Sequence, residues 1–441
     1  MVNNNKSSFD RFGDDLAELI LRYQSLEDQL RLECVSKQFQ SCGIQHRTHI
    51  IVTYDIKMKL KIERKFLTKK YLNTKNWSSL MKKCPNVRSV DILSTGIRQK
   101  HFIRAIHLFR RHWPQLRQID CNIFEMSKKD IKFMCKMFPK MITQLFFCEI
   151  NQINLIKPFI SSMTNLQRLW INKIDDIFIG DQLMVKDLRQ LSCNCSDTML
   201  THFKTFIDGN SGLTSIKLLS NSTDTSTTIV DVLSLIGRLQ GLQRLELAFI
   251  STVNYSIVKP LISIANSCRR LKVLKLHLRV DSLAAYIETY SAIKHMKQLK
   301  RLDLNIYYTN NDNNDVVIDP TVYASLQPVN CWPQLTHLTL RLSHINCQFF
   351  TGLHRNLPKL QNLYISQLSD VFDSIYMSYL SELKSLMRLS VVTKNDFSIN
   401  QSDVRQMVNV CRKLNKLFIY LNNEKVVDLS YDEKTIHLLR G

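Results

Sequence analysis

One pattern recurs in three hexapeptides of this chain: Leu242-Gln-Arg-Leu-Glu-Leu247, Leu271-Lys-Val-Leu-Lys-Leu276 and Leu299-Lys-Arg-Leu-Asp-Leu304. Each has the form L-x-x-L-x-L, in which the last three positions alternate between apolar and polar side chains. An alternation with period two predicts a short strand with one buried face. The three hexapeptides therefore predict three strands of one kind.

The same pattern, with other apolar residues allowed, extends along most of the 441-residue chain. Thirteen copies begin at Val87, Leu116, Ile142, Leu166, Leu188, Leu213, Leu242, Leu271, Leu299, Leu335, Leu360, Leu386 and Leu414. Their mean spacing is about 27 residues, within the range of repeats that combine a strand with a helix. Thirteen copies at a nearly constant spacing indicate a repeat array.

The segments between the strand motifs predict helices, as in the apolar spacing of Val230, Leu233, Ile236 and Leu239. Proline stops a helix just before five of the strand motifs, at Pro85, Pro114, Pro139, Pro333 and Pro358. Three cysteines share one phase, three residues before the first apolar position: Cys84, Cys268 and Cys411. We expect them to be small buried residues at the helix-to-strand corner and not metal ligands.

A unit of this length and composition resembles the helix-containing, cysteine-type leucine-rich repeat. The resemblance implies an α/β solenoid of about 13 helix-containing repeats, with a parallel sheet on its concave face. The polar strand positions then face the concave surface, where aromatic and cationic side chains favour protein recognition. The predicted binding residues there are Phe146, Arg168, Trp170, Lys217, Arg244, Lys275, His277, Arg301, His337, Arg341, Tyr364 and Arg388.

Three features of the array have two interpretations each. Phe418 and Tyr420 either belong to this binding face or pack on a terminal cap. The polar segments 220–228 and 309–315 interrupt the period, and we interpret both as inert insertions, with binding loops as the alternative.

The first 45 residues do not fit the repeat and predict three short helices. Leu16, Leu19, Ile20 and Tyr23 form a helical stripe, and the Ser25 side chain opens a second helix. Three helices in about 35 residues make a marginal core, so this module is expected to need a partner surface.

The module resembles an F-box, most specifically in Val35-Ser-Lys-Gln-Phe39 following Leu26-Glu-Asp28. It departs from the family pattern at Gly13, Gln24 and Phe39. The family resemblance implies docking on a Skp-type adaptor and, through it, on a cullin. The residues that match the apolar F-box pattern are Leu16, Leu19, Ile20, Leu26, Leu30, Leu32, Val35 and Phe39.

The two resemblances together imply a domain order and a function. Residues 1–9 are a disordered tail, 10–45 the F-box-like module, 46–83 a basic linker or N-terminal cap, 84–420 the repeats, and 421–441 a C-terminal cap or tail. Similarity to F-box and leucine-rich-repeat proteins implies a non-catalytic substrate-recognition subunit of an SCF-type cullin-RING ubiquitin ligase, whose repeats bind a protein substrate.

Charge supplies the alternative function. The net charge is +22, and residues 57–140 carry 22 Lys or Arg against five Asp or Glu. Such a segment can bind RNA or an anionic membrane, so the alternative is a leucine-rich-repeat scaffold that uses this patch. A solvated helical face, or a surface for an acidic protein, is the interpretation that we prefer.

Catalytic motifs are absent from the sequence. Its 10 glycines form neither G-x-G-x-x-G nor G-x-x-x-x-G-K-[ST], and G-x-S-x-G, H-E-x-x-H and C-x-x-C do not occur. Cys193 and Cys195 with His202 come nearest to a metal site and are interpreted as core packing. We therefore expect no enzymatic activity, metal or cofactor. Without a secretory signal or an apolar stretch of about 18 residues, the 12 cysteines indicate reduced thiols and a cytoplasmic or nuclear protein with no transmembrane segment.

Overall fold

The structure is a computed structural model of the chain. It describes residues 16, 19, 49–55, 59–62, 65–67, 78, 81–82, 85–93, 107–109, 111–122, 128–146, 157, 160–195, 199–220, 226–253, 257–280, 282–308, 331–345, 347–368, 371–393, 398–421, 424–429 and 437–438. The chain divides into two compact units. Unit 1 is Met1–Asn172 with Asp176–Leu188, and unit 2 is Lys173–Asp175 with Arg189–Gly441.

Unit 1 contains a mainly parallel sheet. Its strands are β1 (His49–Asp55), β2 (Lys59–Ile62), β3 (Lys65–Leu67), β4 (Ser89–Leu93), β5 (Gln118–Asn122), β6 (Ile142–Phe146) and β7 (Arg168–Trp170). Strands β1, β4, β5, β6 and β7 pair in parallel in that order, while β2 and β3 continue from β1 as antiparallel neighbours. Helix α1 (Lys128–Met137) connects β5 to β6, and a separate hairpin joins β8 (Phe178–Ile179) to β9 (Gln182–Leu183).

Unit 2 contains nine parallel strands whose order in the sheet is their order in the chain. They are β10 (Gln190–Asn194), β11 (Ser215–Ser220), β12 (Arg244–Val253), β13 (Val273–Val280), β14 (Arg301–Tyr308), β15 (His337–Ile345), β16 (Asn362–Leu368), β17 (Arg388–Thr393) and β18 (Lys416–Leu421). Two antiparallel strands follow, β19 (Glu424–Leu429) and β20 (His437–Leu438).

Helices connect most of these strands. They are α2 (Met199–Gly209), α3 (Ser226–Ile236), α4 (Val258–Ser267), α5 (Leu283–Ile293), α6 (Leu353–Asn356), α7 (Ser374–Ser381) and α8 (Gln401–Val410). Neighbouring helices α2 to α5 contact one another in sequence, as do α7 and α8. None of the described helices is long and apolar enough to cross a membrane.

All thirteen L-x-x-L-x-L motifs coincide with parallel strands, β4 to β7 and β10 to β18. The predicted α/β class with a large parallel sheet is therefore confirmed. Strand β1 is an addition that the motif did not find, since it lies in the segment predicted as a basic linker or cap. The preference for a helical face in the basic run is wrong for Lys59, Lys61 and Lys65, because these residues belong to strands β2 and β3.

The core of unit 2 follows from the alternation along each strand. In β11, Ile216 and Leu218 are fully buried, whereas Lys217 between them is partly exposed. Leu233 and Ile236 of α3 are also fully buried, as their helical spacing predicts. The parallel strands of unit 2 therefore have one face in the core and a second face, here called the open face, on which most of the described side chains remain partly accessible, with Ser192 and Ser366 as buried exceptions.

The corners between helix and strand keep the strands in register. The Gln243 N–H donates to the Thr214 carbonyl, the Lys272 N–H to Gln243, and the Lys300 N–H to Lys272, each at 2.8 Å. A repeated bond one residue before each strand fixes the position of the next strand along its neighbour. The open-face side chains of successive strands consequently lie side by side.

Two of the three corner cysteines behave as predicted. Cys268 is fully buried and its Sγ donates to the Leu239 carbonyl at 3.3 Å, while Cys411 is fully buried with Sγ 3.2 Å from the Ser381 carbonyl. Burial raises the pKa of both thiols to about 11. The thiol thus satisfies carbonyls near the end of the preceding helix. Cys84 lies outside the described residues.

A run of buried aromatic rings supports the long connection before β15. Trp332 is fully buried, its Nε1–H donates to the Ile293 carbonyl at 3.2 Å, and its ring meets Tyr290 edge-on at 5.9 Å. Phe349 and Phe350 extend the cluster. These rings fix the chain just before and just after β15. The predicted loop 220–228 is wrong at both ends, because Ser220 belongs to β11 and residues 226–228 form the first turn of α3. Residues 221–225 and 309–315 lie outside the described part of the chain.

Candidate binding surface on the open sheet face

Three columns of side chains run across the open face of unit 2, because the strands pair without slippage at these positions. The middle column is Lys217, Glu246, Lys275, Asp303, Thr339, Tyr364, Ser390 and Phe418. One flanking column contains Arg244, Arg301, His337 and Arg388, and the other contains His277, Asn305 and Arg341. Nine of the twelve predicted binding residues therefore lie in adjoining columns.

Opposite charges alternate along the middle column and form an ion-pair ladder. Lys217 Nζ lies 3.0 Å from Glu246 Oε1, and Lys275 Nζ lies 3.7 Å from Glu246 Oε2 and 3.8 Å from Asp303 Oδ2. Arg244 adds a contact of 3.2 Å to Glu246, and Arg301 one of 3.1 Å to Asp303. Cross-strand pairs of this kind stabilise a sheet by about 0.2–1 kcal/mol each. The ladder consists of these two carboxylates and four cations.

Glu246 is the best-paired member of the ladder, with 17% of its side chain exposed. Burial alone would raise the pKa of its carboxyl. The hydrogen bond from Lys217 and the charge of Lys275 outweigh burial, so the pKa of Glu246 is lowered. Glu246 is therefore ionised wherever the unfolded chain would be ionised, and at somewhat lower pH as well.

His337 is held as a neutral ring on the edge of this network. Asn362 Nδ2 lies 2.9 Å from His337 Nε2, and Thr336 Oγ1 lies 2.9 Å from Nδ1. An amide N–H can only donate, so Nε2 accepts and Nδ1 carries the proton. The Thr336 hydroxyl donates its hydrogen bond to the Lys300 carbonyl, at 3.0 Å. Burial and the nearby guanidinium of Arg301 lower the pKa of His337, in agreement with the neutral form.

Arg341 is held differently from the other cations of the face. Its guanidinium carbon lies 5.1 Å from the centre of the Tyr364 ring, a cation–π contact. No ion pair or hydrogen bond joins its guanidinium to any residue that the structure describes. Its donors therefore remain available to a bound group.

A depression of about 390 Å³ opens beside Arg341, here called the Arg341 depression. Its polar lining comes from strands β12 to β15: Glu246, Lys275, His277, Arg301, Asp303, Asn305, Thr339 and Arg341. His277 is one of the lining residues, the centre of its ring lies 5.8 Å from that of Tyr307, and burial lowers the pKa of this imidazole. The depression is lined by polar groups, and most of its charged side chains already form ion pairs with one another.

The structure thus brings together Lys275, His277, Arg301 and Arg341 around one depression. Lys217, Arg244, His337 and Tyr364 adjoin it, and Arg388 lies one strand beyond Tyr364, in register with Asn362. Glu246, Asp303 and Asn305 also line this site, although they are not among the predicted binding residues. Their signal was present in the sequence, since the same repeat phases place them beside the predicted cations.

The other three predicted binding residues belong to unit 1. Phe146 pairs with Trp170 in neighbouring strands. Trp170 is 37% exposed, and Arg168 Nη1 donates to Gln144 Oε1 at 3.2 Å. Arg168 and Trp170 thus belong to unit 1, whereas the Arg341 depression belongs to unit 2.

The predicted adaptor-binding residues are described only in part. Leu16 and Leu19 are both helical and are 42% and 48% exposed. Their separation of three residues places them on one face of the helix. Six further predicted residues lie outside the described part of the chain: Ile20, Leu26, Leu30, Leu32, Val35 and Phe39.

The Cys193, Cys195 and His202 cluster has no metal-like geometry. Cys193 is fully buried, and burial raises the pKa of the Cys195 thiol to about 12. His202 Nδ1 lies 2.7 Å from Asp175 Oδ1, so this imidazole nitrogen is hydrogen-bonded to a carboxylate. Within the described ranges, no three His, Cys, Asp or Glu side chains are grouped so as to hold a metal ion.

Comparison with known proteins gives no family assignment. No protein-family model matches this chain, and no curated protein matches it significantly. The function proposed below is therefore supported by the chain's own repeats, register and surface chemistry.

Proposed function

We propose that this chain is a non-catalytic substrate-recognition subunit of an SCF-type cullin-RING ubiquitin ligase. In this proposal residues 10–45 are an F-box that docks on a Skp-type adaptor and thereby on a cullin. The strands and helices that follow are a leucine-rich-repeat solenoid of about 13 repeats, whose concave face binds a protein substrate. Its place of action is the cytoplasm, the nucleus or both.

The observation that supports this function most strongly is the open face of unit 2. Its columns combine Arg, His, Lys and Tyr side chains on the eight parallel strands β11 to β18, which share a common register at these positions. A rigid sheet that presents aromatic and guanidinium groups is suited to recognising protein surfaces. Substrate recognition requires this kind of surface and no catalytic group.

Leu16 and Leu19 support the adaptor part of the proposal. Two leucines on one helical face, each more than two fifths exposed, form an apolar contact surface that water does not favour. The F-box resemblance supplies a partner for that surface. Docking on an adaptor would bury both side chains.

Co-expression with a Skp-type adaptor followed by gel filtration tests this proposal. The full-length chain should co-elute with the adaptor, and the double variant Leu16→Asp/Leu19→Asp should separate from it because a carboxylate cannot be buried unpaired. Ile375→Asp is the matched control. Ile375 is a comparable apolar residue, 49% exposed in the first turn of α7, where a carboxylate is tolerated. A wild-type chain that never co-elutes with any adaptor would refute the proposal.

The alternative function, which rests on the basic segment 57–140, can be tested separately. A scaffold that holds RNA or an anionic membrane through this segment would lose affinity steeply as salt is added. Charge reversal at Lys57, Lys59 and Lys61 would reduce that slope. A response that does not change with salt would reject the alternative.

A further inference from the structure

The open face of unit 2 has a surplus of positive charge. Strands β11 to β17 contain two acidic side chains, Glu246 and Asp303, among the residues that the structure describes. The same strands contain seven cations: Lys217, Arg244, Lys275, Arg279, Arg301, Arg341 and Arg388. The two carboxylates are already engaged in the ion-pair ladder, so they leave most of the cationic charge of the face uncompensated.

We propose that the Arg341 depression binds an acidic segment of a partner protein, with Arg341 as the principal anion-binding residue. This inference rests on the proposed function and specifies its substrate class: a protein segment that carries carboxylate or phosphorylated side chains. Arg341 lines the depression and is preoriented by the Tyr364 ring, and the flat guanidinium fork matches both anions.

The surroundings of Arg341 fit an anion better than a cation. Lys275 also lines the depression and already shares its charge between two carboxylates. Neutral His277 and Asn305 add polar groups without adding negative charge. Arg388, on the far side of Tyr364, forms no ion pair with the described residues and provides a second anchor for an extended acidic segment.

The ion-pair ladder favours a protein ligand over a nucleic acid. A nucleic acid presents evenly spaced phosphates and is bound by continuous cationic grooves. On this face Glu246 and Asp303 interrupt the cations and would repel some of those phosphates. A peptide can place its anions at Arg341 and Arg388 and neutral residues opposite the two carboxylates.

Fluorescence anisotropy with the full-length chain tests this inference. The probes are short labelled peptides in a Gly-Ser background that carry Asp, phosphoserine or Lys at the same positions, and a single-stranded oligonucleotide. We expect the Asp and phosphoserine peptides to bind, the phosphoserine peptide more tightly, and the Lys peptide not to bind. Affinity for the acidic peptides should fall as salt is added, because the contacts are partly exposed.

Two variants should change the affinity in opposite directions. Arg341→Gln should weaken binding of the acidic peptides by about tenfold, the effect of losing one charge-assisted contact. Asp303→Asn should strengthen it by about threefold, because Lys275 and Arg301 are then released from a carboxylate. Arg405→Gln, which removes an exposed charge from α8, is the matched control and should leave the affinity unchanged. A variant that merely misfolds cannot increase affinity.

Several outcomes would overturn the inference. These are equal binding of the Lys peptide, equal effects of Arg341→Gln and Arg405→Gln, or weaker binding after Asp303→Asn. Oligonucleotide binding that is tighter than peptide binding and depends on Arg341 would replace it with a nucleic-acid site. If the adaptor co-elutes but no acidic peptide binds, only this inference fails. If acidic peptides bind but no adaptor co-elutes, the ubiquitin-ligase proposal fails and the anion site stands.

Discussion

Replacing Glu246 by Gln tests whether the ion-pair ladder stabilises the sheet of unit 2. Gln keeps the shape of the side chain and removes only its charge, leaving Lys217, Arg244 and Lys275 without their shared carboxylate. Two cross-strand contacts and one contact within β12, at about 0.2–1 kcal/mol each, predict a loss of about 0.6–3 kcal/mol in the free energy of unfolding. Urea denaturation at neutral pH, followed by circular dichroism, measures this loss.

The pH dependence of the same variant makes the test specific. The pKa of Glu246 is lowered in the folded protein from an ordinary value of 4.5. A lowered folded-state pKa gives stabilisation that is fully present above the unfolded value and is lost as pH falls through the folded one. The difference between wild type and Glu246→Gln should therefore shrink to zero in buffers well below pH 4.5.

Asp231→Asn is the control variant for this experiment. It removes an exposed carboxylate of α3 that has no ion pair among the described residues. It should change the free energy of unfolding by less than about 0.5 kcal/mol. A Glu246→Gln difference of the same size in acid and at neutral pH would refute the charge-based reasoning. It would mean that Gln disturbs packing and not the ladder.

Three further predictions concern the core and the helix ends. Trp332→Phe should lower the free energy of unfolding by about 1–3 kcal/mol in urea, because it removes the indole hydrogen bond to the Ile293 carbonyl, which keeps only the Met296 N–H, and leaves part of the buried indole's volume empty; no loss would show that this bond and packing contribute little. Cys268 and Cys411 should resist maleimide labelling of the folded chain, read by peptide mass spectrometry, and react after unfolding, since burial raises their pKa to about 11; rapid native labelling would contradict the corner packing. Asn400→Ala should cost about 1 kcal/mol in the same urea assay by removing the N-cap of α8, and an unchanged midpoint would show that the cap is dispensable.

The strands of the repeat were predictable because each one has the same one-sided burial. Leu245 and Leu247 are buried in β12, as Leu274 and Leu276 are in β13, and this pattern is visible in the sequence. Strand β1 escaped the motif because Ile50, Ile51 and Val52 are consecutive apolar residues that show no alternation. Periodicity alone does not distinguish a strand without this alternation from a buried helical segment.

The repeat phase predicts which residues share a column of the open face, but it does not predict that they surround a depression. Repeat phase alone places Lys275 beside Glu246 and Asp303, yet their pairing depends on strand register, which the corner hydrogen bonds determine. The contact of Arg341 with Tyr364 joins different columns and two strands, and no local pattern encodes it. Long-range packing of this kind requires the folded geometry.

The most direct test of the proposed function is hydrogen–deuterium exchange of the full-length chain with and without a purified Skp-type adaptor. We predict that the adaptor protects amides within residues 10–45, including the helical turn of Leu16 and Leu19. We predict unchanged exchange in strands β12 to β15, which stay available for a substrate. Protection on the open face of unit 2 with none in residues 10–45, or no protection anywhere, would contradict the proposed function.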